Sequence, residues 1–285
     1  MPTKPLAAIV LGLVLMANGC NTGPDHEVDP IQVGPSPTLA ALEAMDADAR
    51  AVAEKVVDFA GGPHAIDNIR TLEVRFEGQS DGNPIEFHLR WSRSGPAFYD
   101  MVLGPDSGRF GVNGERYWRS MEGEPAELYV MDPTVEYGWN EMAGQVLEFT
   151  SLPLAVINPT NSHDDGAAPL ERMGDLAFKG QRTAVLSFTA EPDPDDPMHR
   201  SHYDAQTGRP VGLTQGLPTE PLYMAFSDWR EVDGAHGLKM FHRVKVDGFW
   251  LGDEVFDLRA TLVRVNTLEE ADFDPPADAV LQTDG

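Results

Sequence analysis

Two histidines, His199 and His202, stand close together late in the chain, and an acidic run, Glu191-Pro192-Asp193-Pro194-Asp195-Asp196-Pro197, lies just before them. Both invite a metal reading. Residues three apart on a strand point to opposite faces, which is poor geometry for one ion, so the pair reads as strand-surface histidines. The run offers carboxylate oxygens of the kind calcium takes. It lacks the glycine-turned loop of a dedicated site and reads as a solvated hairpin loop. No metal and no other cofactor is expected. The sequence holds no nucleophile elbow, phosphate-binding glycine loop, zinc-protease helix motif or dinucleotide fingerprint. Its 46 acidic side chains cannot be sorted into an acid–base pair by spacing alone. A binding role is therefore expected rather than an enzyme.

One residue does carry specific chemistry. Cys20 is the only cysteine among 285 residues, and it follows Lys4, an apolar run from Leu6 to Met16, and the small residues Ala17 and Gly19. The run has the length of an export-signal core and is too short to span a bilayer. The pattern resembles the lipobox of bacterial lipoproteins, with Ala17 where Leu is usual. That resemblance implies diacylglycerol on the thiol, palmitate-type acyl chains, and cleavage before Cys20. Residues 1–20 are read as a lipoprotein signal peptide, 21–37 as a flexible tether rich in Gly and Pro, and 38–285 as the folded domain. An ordinary cleaved signal with an incidental cysteine is the alternative. Asn21 is not the Asp associated with inner-membrane retention, so the expected place is extracytoplasmic and lipid-anchored, the outer membrane favoured over the inner. A lone cysteine excludes an internal disulfide. The formal net charge of -25 repels nucleic acid and anionic headgroups.

The elements that would carry a binding site are mostly strands. A helix comes first, with Leu39, Leu42, Met45, Val52, Val56 and Phe59 on one face, between Ser36-Pro37 and Gly61-Gly62-Pro63. Leu72, Val74 and Phe76 then alternate with charged residues, as do Ile85, Phe87, Leu89 and Trp91. Hairpin signals follow in order at Asp81-Gly82, Asn113-Gly114, Lys179-Gly180, Thr207-Gly208, Asp233-Gly234 and Asp247-Gly248. They predict an antiparallel meander of about ten strands. From Glu136 to Ile157 the alternation stops. Met142, Val146, Phe149, Leu152 and Val156 recur at roughly helical spacing there, which predicts one or two short helices inserted between two groups of strands. The fold class is α+β: an incomplete, half-open antiparallel β-barrel, with an N-terminal helix and a helical insert covering its concave face.

Several segments resemble the LolA/LolB-like superfamily of extracytoplasmic lipoprotein carriers and sensors. They are Phe59-Ala60-Gly61-Gly62, the stretch Ala65 to Leu72, Val112-Asn113-Gly114-Glu115-Arg116-Tyr117-Trp118, the run Phe226 to Gly234, and Ala271-Asp272-Phe273-Asp274-Pro275-Pro276. The resemblance implies a half-barrel with helices over its mouth and an apolar cavity that receives acyl chains or a lipoprotein. Candidate lining residues are Phe87, Leu89, Trp91, Phe98, Met101, Leu222, Met224 and Phe226, with Met142, Val146 and Phe149 from the insert as lid or plug. A filled core is the alternative for all of them. Phe249, Trp250 and Leu251 put three large apolar residues at a predicted hairpin tip, where they would contact a membrane, an envelope protein partner or the barrel rim. An envelope sensor or interaction module without a transported ligand is the alternative function. Mass spectrometry of the protein from its native host is expected to show an acylated N-terminus at Cys20; an unmodified Cys20, or cleavage elsewhere, would refute the anchor.

Overall fold

The computed structural model describes residues 36–80, 82–130, 139–159, 170–187, 198–248, 251 and 254–282. Cys20, the acidic run 191–197 and the tip residues Phe249 and Trp250 lie outside them.

The N-terminal helical stripe is divided. Helix α1 (Pro37–Ala44) is capped by Ser36, whose hydroxyl accepts from the Leu39 amide. A new helix, α2 (Ala47–Ala60), begins because the Asp46 carboxylate accepts from the amides of Asp48 and Ala49. The single helix expected from Leu39 to Phe59 is therefore corrected to two, with extended backbone at Met45. Helix α2 ends on Gly61, whose φ of +117° makes a left-handed cap. A short helix α3 (Pro63–Asp67) follows, and its Asp67 carboxylate accepts from the hydroxyls of Ser36 and Thr38, tying the start of α1 to the end of α3.

Six strands come next: β1 (Thr71–Ser80), β2 (Asn83–Ser92), β3 (Ala97–Leu103), β4 (Asp106–Asn113), β5 (Arg116–Met121) and β6 (Glu127–Val130). The insert is one helix, α4 (Trp139–Ile157), with Pro153 inside it. Then come β7 (Glu171–Phe178), β8 (Gln181–Ser187), β9 (Met198–Tyr203), β10 (Pro210–Gly216), β11 (Leu222–Glu231), β12 (Lys239–Gly248), β13 (Phe256–Val265), a 3-10 turn (Glu270–Phe273) and β14 (Val280–Leu281). The described strands form one sheet of 14 in the order β14-β6-β5-β4-β3-β2-β1-β13-β12-β11-β10-β9-β8-β7. The order does not return on itself, so the sheet is open. Apart from the parallel β14–β6 pair, the registered pairs are antiparallel.

The additional strands have a clear origin. Strand β3 (Ala97-Phe98-Tyr99-Asp100-Met101-Val102-Leu103) is nearly all apolar and buried along most of its length, so it shows no polar alternation. Strand β14 is two residues long, with both side chains exposed. The turns mostly follow the hairpin signals. Lys179 and Gly180 both have positive φ, +47° and +82°, as a type I′ turn requires. One turn is displaced by a residue: Asn113 pairs with Arg116, so the loop is Gly114-Glu115.

The chain divides into two compact units. One is built on Ile69–Leu152 with Ala260–Gly285, the other on Val33–Asn68 with Pro153–Arg259. In the second, α2 packs against β7, β8 and β12, and its Phe59 ring meets Trp229 edge-on at 5.2 Å. The approach behind α2 is close. A Cβ on Gly61 would lie 2.6 Å from the Gly237 carbonyl oxygen. Gly61→Ala therefore combines a clash with a φ that L side chains avoid and is expected to cost about 1–3 kcal/mol. Gly234→Ala, also at positive φ but facing open space, should cost less. Thermal melts by circular dichroism check the order of the two.

Candidate ligand-binding face

Register sorts the side chains of the first unit onto two faces. Leu72 pairs with Trp91, Val74 with Leu89 and Phe76 with Phe87. Leu89 pairs with Tyr99 and Phe87 with Met101. Since partners in register share a face, these side chains form one continuous apolar surface across β1, β2 and β3. It extends through Val112 on β4 to Tyr117 on β5 and Tyr129 on β6. Predicted lining residues Phe87, Leu89, Trp91 and Met101 lie on this surface, and all are buried.

Phe98 does not join them. It pairs with Arg90 on β2 and lies one residue out of phase with Tyr99, which puts it on the opposite face. There it packs with Trp118 and Phe273, and the Arg90 guanidinium covers its ring at 5.0 Å. The expectation that Phe98 shares a lining with Phe87 and Met101 is corrected by the period of two.

Helix α4 supplies the cover. Met142, Val146 and Phe149 recur at i, i+4 and i+7 and so lie along one side of the helix. Val146 is buried, while Met142 and Phe149 are half-buried. The Phe149 ring meets Phe87 at 5.6 Å and Tyr99 at 5.2 Å, both edge-on. Tyr99 in turn stacks on Phe110 at 4.8 Å. Pro153 has no amide hydrogen, so the Phe149 carbonyl lacks its usual i+4 donor at the turn that carries the contact ring. Thr150 bonds back to its own helix, donating to the Val146 carbonyl at 2.8 Å. The surface is apolar but holds hydroxyls. Burial pushes the Tyr99 and Tyr117 hydroxyls well above the usual tyrosine range, so they remain protonated and add no charge.

In the second unit, Leu222, Met224 and Phe226 share a face of β11 with Val246 and Val244 on β12 and, beyond them, Phe256 and Leu258 on β13. All seven are buried. Leu251, the one described member of the predicted apolar tip, is also buried.

No family model matches the sequence, and no curated protein matches it. Solved structures do. A domain assigned to outer-membrane lipoprotein sorting from Vibrio parahaemolyticus is 11% identical at a TM-score of 0.45, the match covering 83% of this chain and 97% of that one. A LolA superfamily protein from Nitrosomonas europaea is 10% identical at a TM-score of 0.45, covering 78% of this chain and 97% of that one. A DUF1329 family protein from Desulfovibrio piger is 12% identical at a TM-score of 0.40, covering 80% of this chain and 97% of that one.

Within each unit, the segments that carry the LolA-like resemblance meet one another. Phe59 touches Trp229 in the second unit. In the first, Trp118 packs on Phe273, and the Asn113 side-chain amide donates to the Asp274 carboxylate at 3.3 Å.

The histidine pair also finds its place. His202 is buried rather than on the surface, which corrects that reading. Its Nδ1 lies 3.1 Å from the Thr183 hydroxyl and its Nε2 3.0 Å from the Thr214 hydroxyl. Thr183 spends its own proton on the Leu176 carbonyl, so Nδ1 donates, and burial, which disfavours the charged ring, leaves Nε2 to accept from Thr214. That is a neutral ring, held against Phe178 at 4.5 Å. Among the described residues no group of three or more His, Cys, Asp or Glu could hold a metal. Burial, with a smaller contribution from Arg200, lowers His202 from 6.5 to about 4. Between those pH values the unfolded chain takes up a proton that the folded chain refuses. Stability is therefore full above about pH 6.5 and falls as pH drops toward 4, by an amount of order 2–4 kcal/mol. Burial lowers His199 likewise to about 4. Denaturant titrations across this window should show a shallower pH slope in His202→Gln than in the parent; equal slopes would refute the assignment.

Proposed function

We propose that this chain is a lipid-anchored, extracytoplasmic binding protein that holds acyl chains, free or on a lipoprotein, by apolar burial. One observation carries the reading. The apolar face of the first unit is roofed by a helix whose contact ring, Phe149, rests edge-on between Phe87 and Tyr99 while staying half-exposed itself. A ring in that position is a plug that an acyl chain can replace, methylene for ring carbon. The break in hydrogen bonding at Pro153 lowers the cost of moving that turn. Each methylene transferred from water contributes about 0.8 kcal/mol, so one long chain supplies micromolar affinity after the cost of association is met. Opening of Phe149 would enlarge the slot beneath it. Leu89, Trp91 and Met101 would line the same slot, and Val146 its helical side.

The anchor at Cys20 and the outer-membrane placement belong to the same reading and rest on the N-terminal residues alone. No described helix is long and apolar enough to cross a membrane.

A fluorescent fatty acid titrated into the purified protein is expected to bind saturably and to be displaced by palmitate. Phe149→Asp should reduce its affinity by about tenfold or more, since a carboxylate must then be desolvated at the plug position. The thermal melt should fall as well, because the Phe87 and Tyr99 contacts are lost, while far-UV circular dichroism stays that of the folded protein. Absence of saturable binding by the parent protein would refute the proposal.

A further inference from the structure

On the opposite face of the first unit, register sets a row of charged and polar residues straight across the sheet. Arg75 pairs with His88, His88 with Asp100, Asp100 with Arg109, and Arg109 with Ser120. The neighbouring row is acidic at both ends. Glu77 pairs with Glu86, and beyond Val102 and Ser107 the row closes on Glu122, whose carboxylate accepts from the Ser107 hydroxyl at 3.2 Å. Successive rows on one face are roughly 7 Å apart. A cavity of about 450 Å³ opens over these rows, lined among others by Arg75, Glu86, His88, Asp100, Arg109 and Glu122. That is ample for a small molecule.

The groups around it are incompletely matched. His88 is buried, with its Nε2 2.8 Å from Glu73 and its Nδ1 3.4 Å from an Arg75 nitrogen, so Nε2 donates and Nδ1 accepts. The Arg109 Nε lies 3.0 Å from Asp100 Oδ1. It is out of line, and that buried oxygen receives no hydrogen bond. Glu86 is exposed, with no ion pair to a described residue. Two guanidiniums thus face the cavity beside carboxylates that still need donors. A free anion would be repelled by a chain of net charge -25, and a simple cation would leave the guanidinium forks unused. A dipolar molecule satisfies both sets while remaining neutral overall.

We propose that this cavity binds a small dipolar ligand bearing a primary ammonium and an oxyanion on a short linker. The oxyanion meets the Arg109 and Arg75 guanidiniums, which suit carboxylate or phosphate. The ammonium meets the exposed Glu86 and the accessible side of the Asp100 carboxylate, both of which line the cavity. Such chemistry is found in an ethanolamine phospholipid headgroup and in a free amino acid.

Calorimetric titration of the full chain with sn-glycero-3-phosphoethanolamine and, separately, with β-alanine tests the proposal and distinguishes the two sources. Saturable binding of either is expected, weakened about tenfold or more in Arg109→Gln and in Glu86→Gln, the scale of a lost charge-assisted hydrogen bond. Both side chains are exposed, and a thermal melt of each variant confirms that it folds. Glycerol phosphate and ethanolamine, each carrying half of the charge pattern, should bind far more weakly, as should glycerophosphocholine, whose quaternary ammonium has no proton to donate. Failure of the parent protein to bind either probe, or retained binding in both variants, would overturn the proposal, as would equal binding of the choline ester. The fatty-acid titration is read independently, because Phe149 lies on the other face.

Discussion

An open sheet whose side chains alternate must find cover for its apolar face, and most of this structure answers that need. A closed barrel covers its interior by curvature alone. Here the strand order ends at β14 and β7, and the cover comes from helices. In the second unit α2 lies on β7, β8 and β12. It approaches closely enough that Gly208, at φ +72°, has no room for a Cβ beside the Lys55 backbone. In the first unit α4 covers the sheet with the buried Ala143 and Val146 and with the aromatic contacts of the half-buried Phe149 ring. Burial is roughly proportional to the apolar area removed from water. The Phe149 ring is the partly exposed part of that cover, which is why the proposed ligand exchange is placed there.

The face away from α4 is not simply a solvated surface. Phe98, Trp118 and Phe273 form an apolar cluster there, with Leu128 and Leu268 packed against it. Phe273 arrives on the 3-10 turn near the C-terminus, and Arg90 binds that turn by donating to the Asp272 carbonyl at 3.3 Å while stacking on Phe98. Strand β14 continues the attachment by pairing in parallel with β6. The C-terminal segment thus covers apolar side chains on one part of this face and leaves the Arg75–Arg109 row open on another. Under the two proposals the faces would recognise separately, apolar burial supplying affinity with little discrimination and paired charges supplying discrimination.

Much of this was legible in the residues. Period-two alternation in β1 and β2 and the glycine turns gave strand identity and order, because one wet face leaves a plain signature. The stripe Met142, Val146, Phe149 marked α4 as a helix lying on the sheet. Strand β3 escaped because burial along most of its length erases alternation, and the same loss of phase made Phe98 look like a partner of Met101. The break between α1 and α2 lay in a single side chain: Asp46 capping the next turn outweighed the continuity of the apolar stripe. The charged row was invisible for a different reason. Arg75, His88, Asp100 and Arg109 come from four strands, and only the register shows that they stand side by side.

That register is fixed by packing as much as by turns. Gly111 faces Trp118 across β4 and β5, and a Cβ on Gly111 would sit 2.3 Å from the indole ring. No other residue at that position lets the ring lie flat over the strand and reach Phe98 at 5.2 Å. A slip of β5 by one residue would set Trp118 against Val112 or Phe110 and would turn that strand over, with Tyr117 outward and Trp118 toward the apolar face. Such a slip would lose the buried Phe98–Trp118–Phe273 cluster, a cost of several kcal/mol. Which side of β5 joins the apolar face under α4 is therefore held by the same contact that closes the Phe98–Trp118–Phe273 cluster.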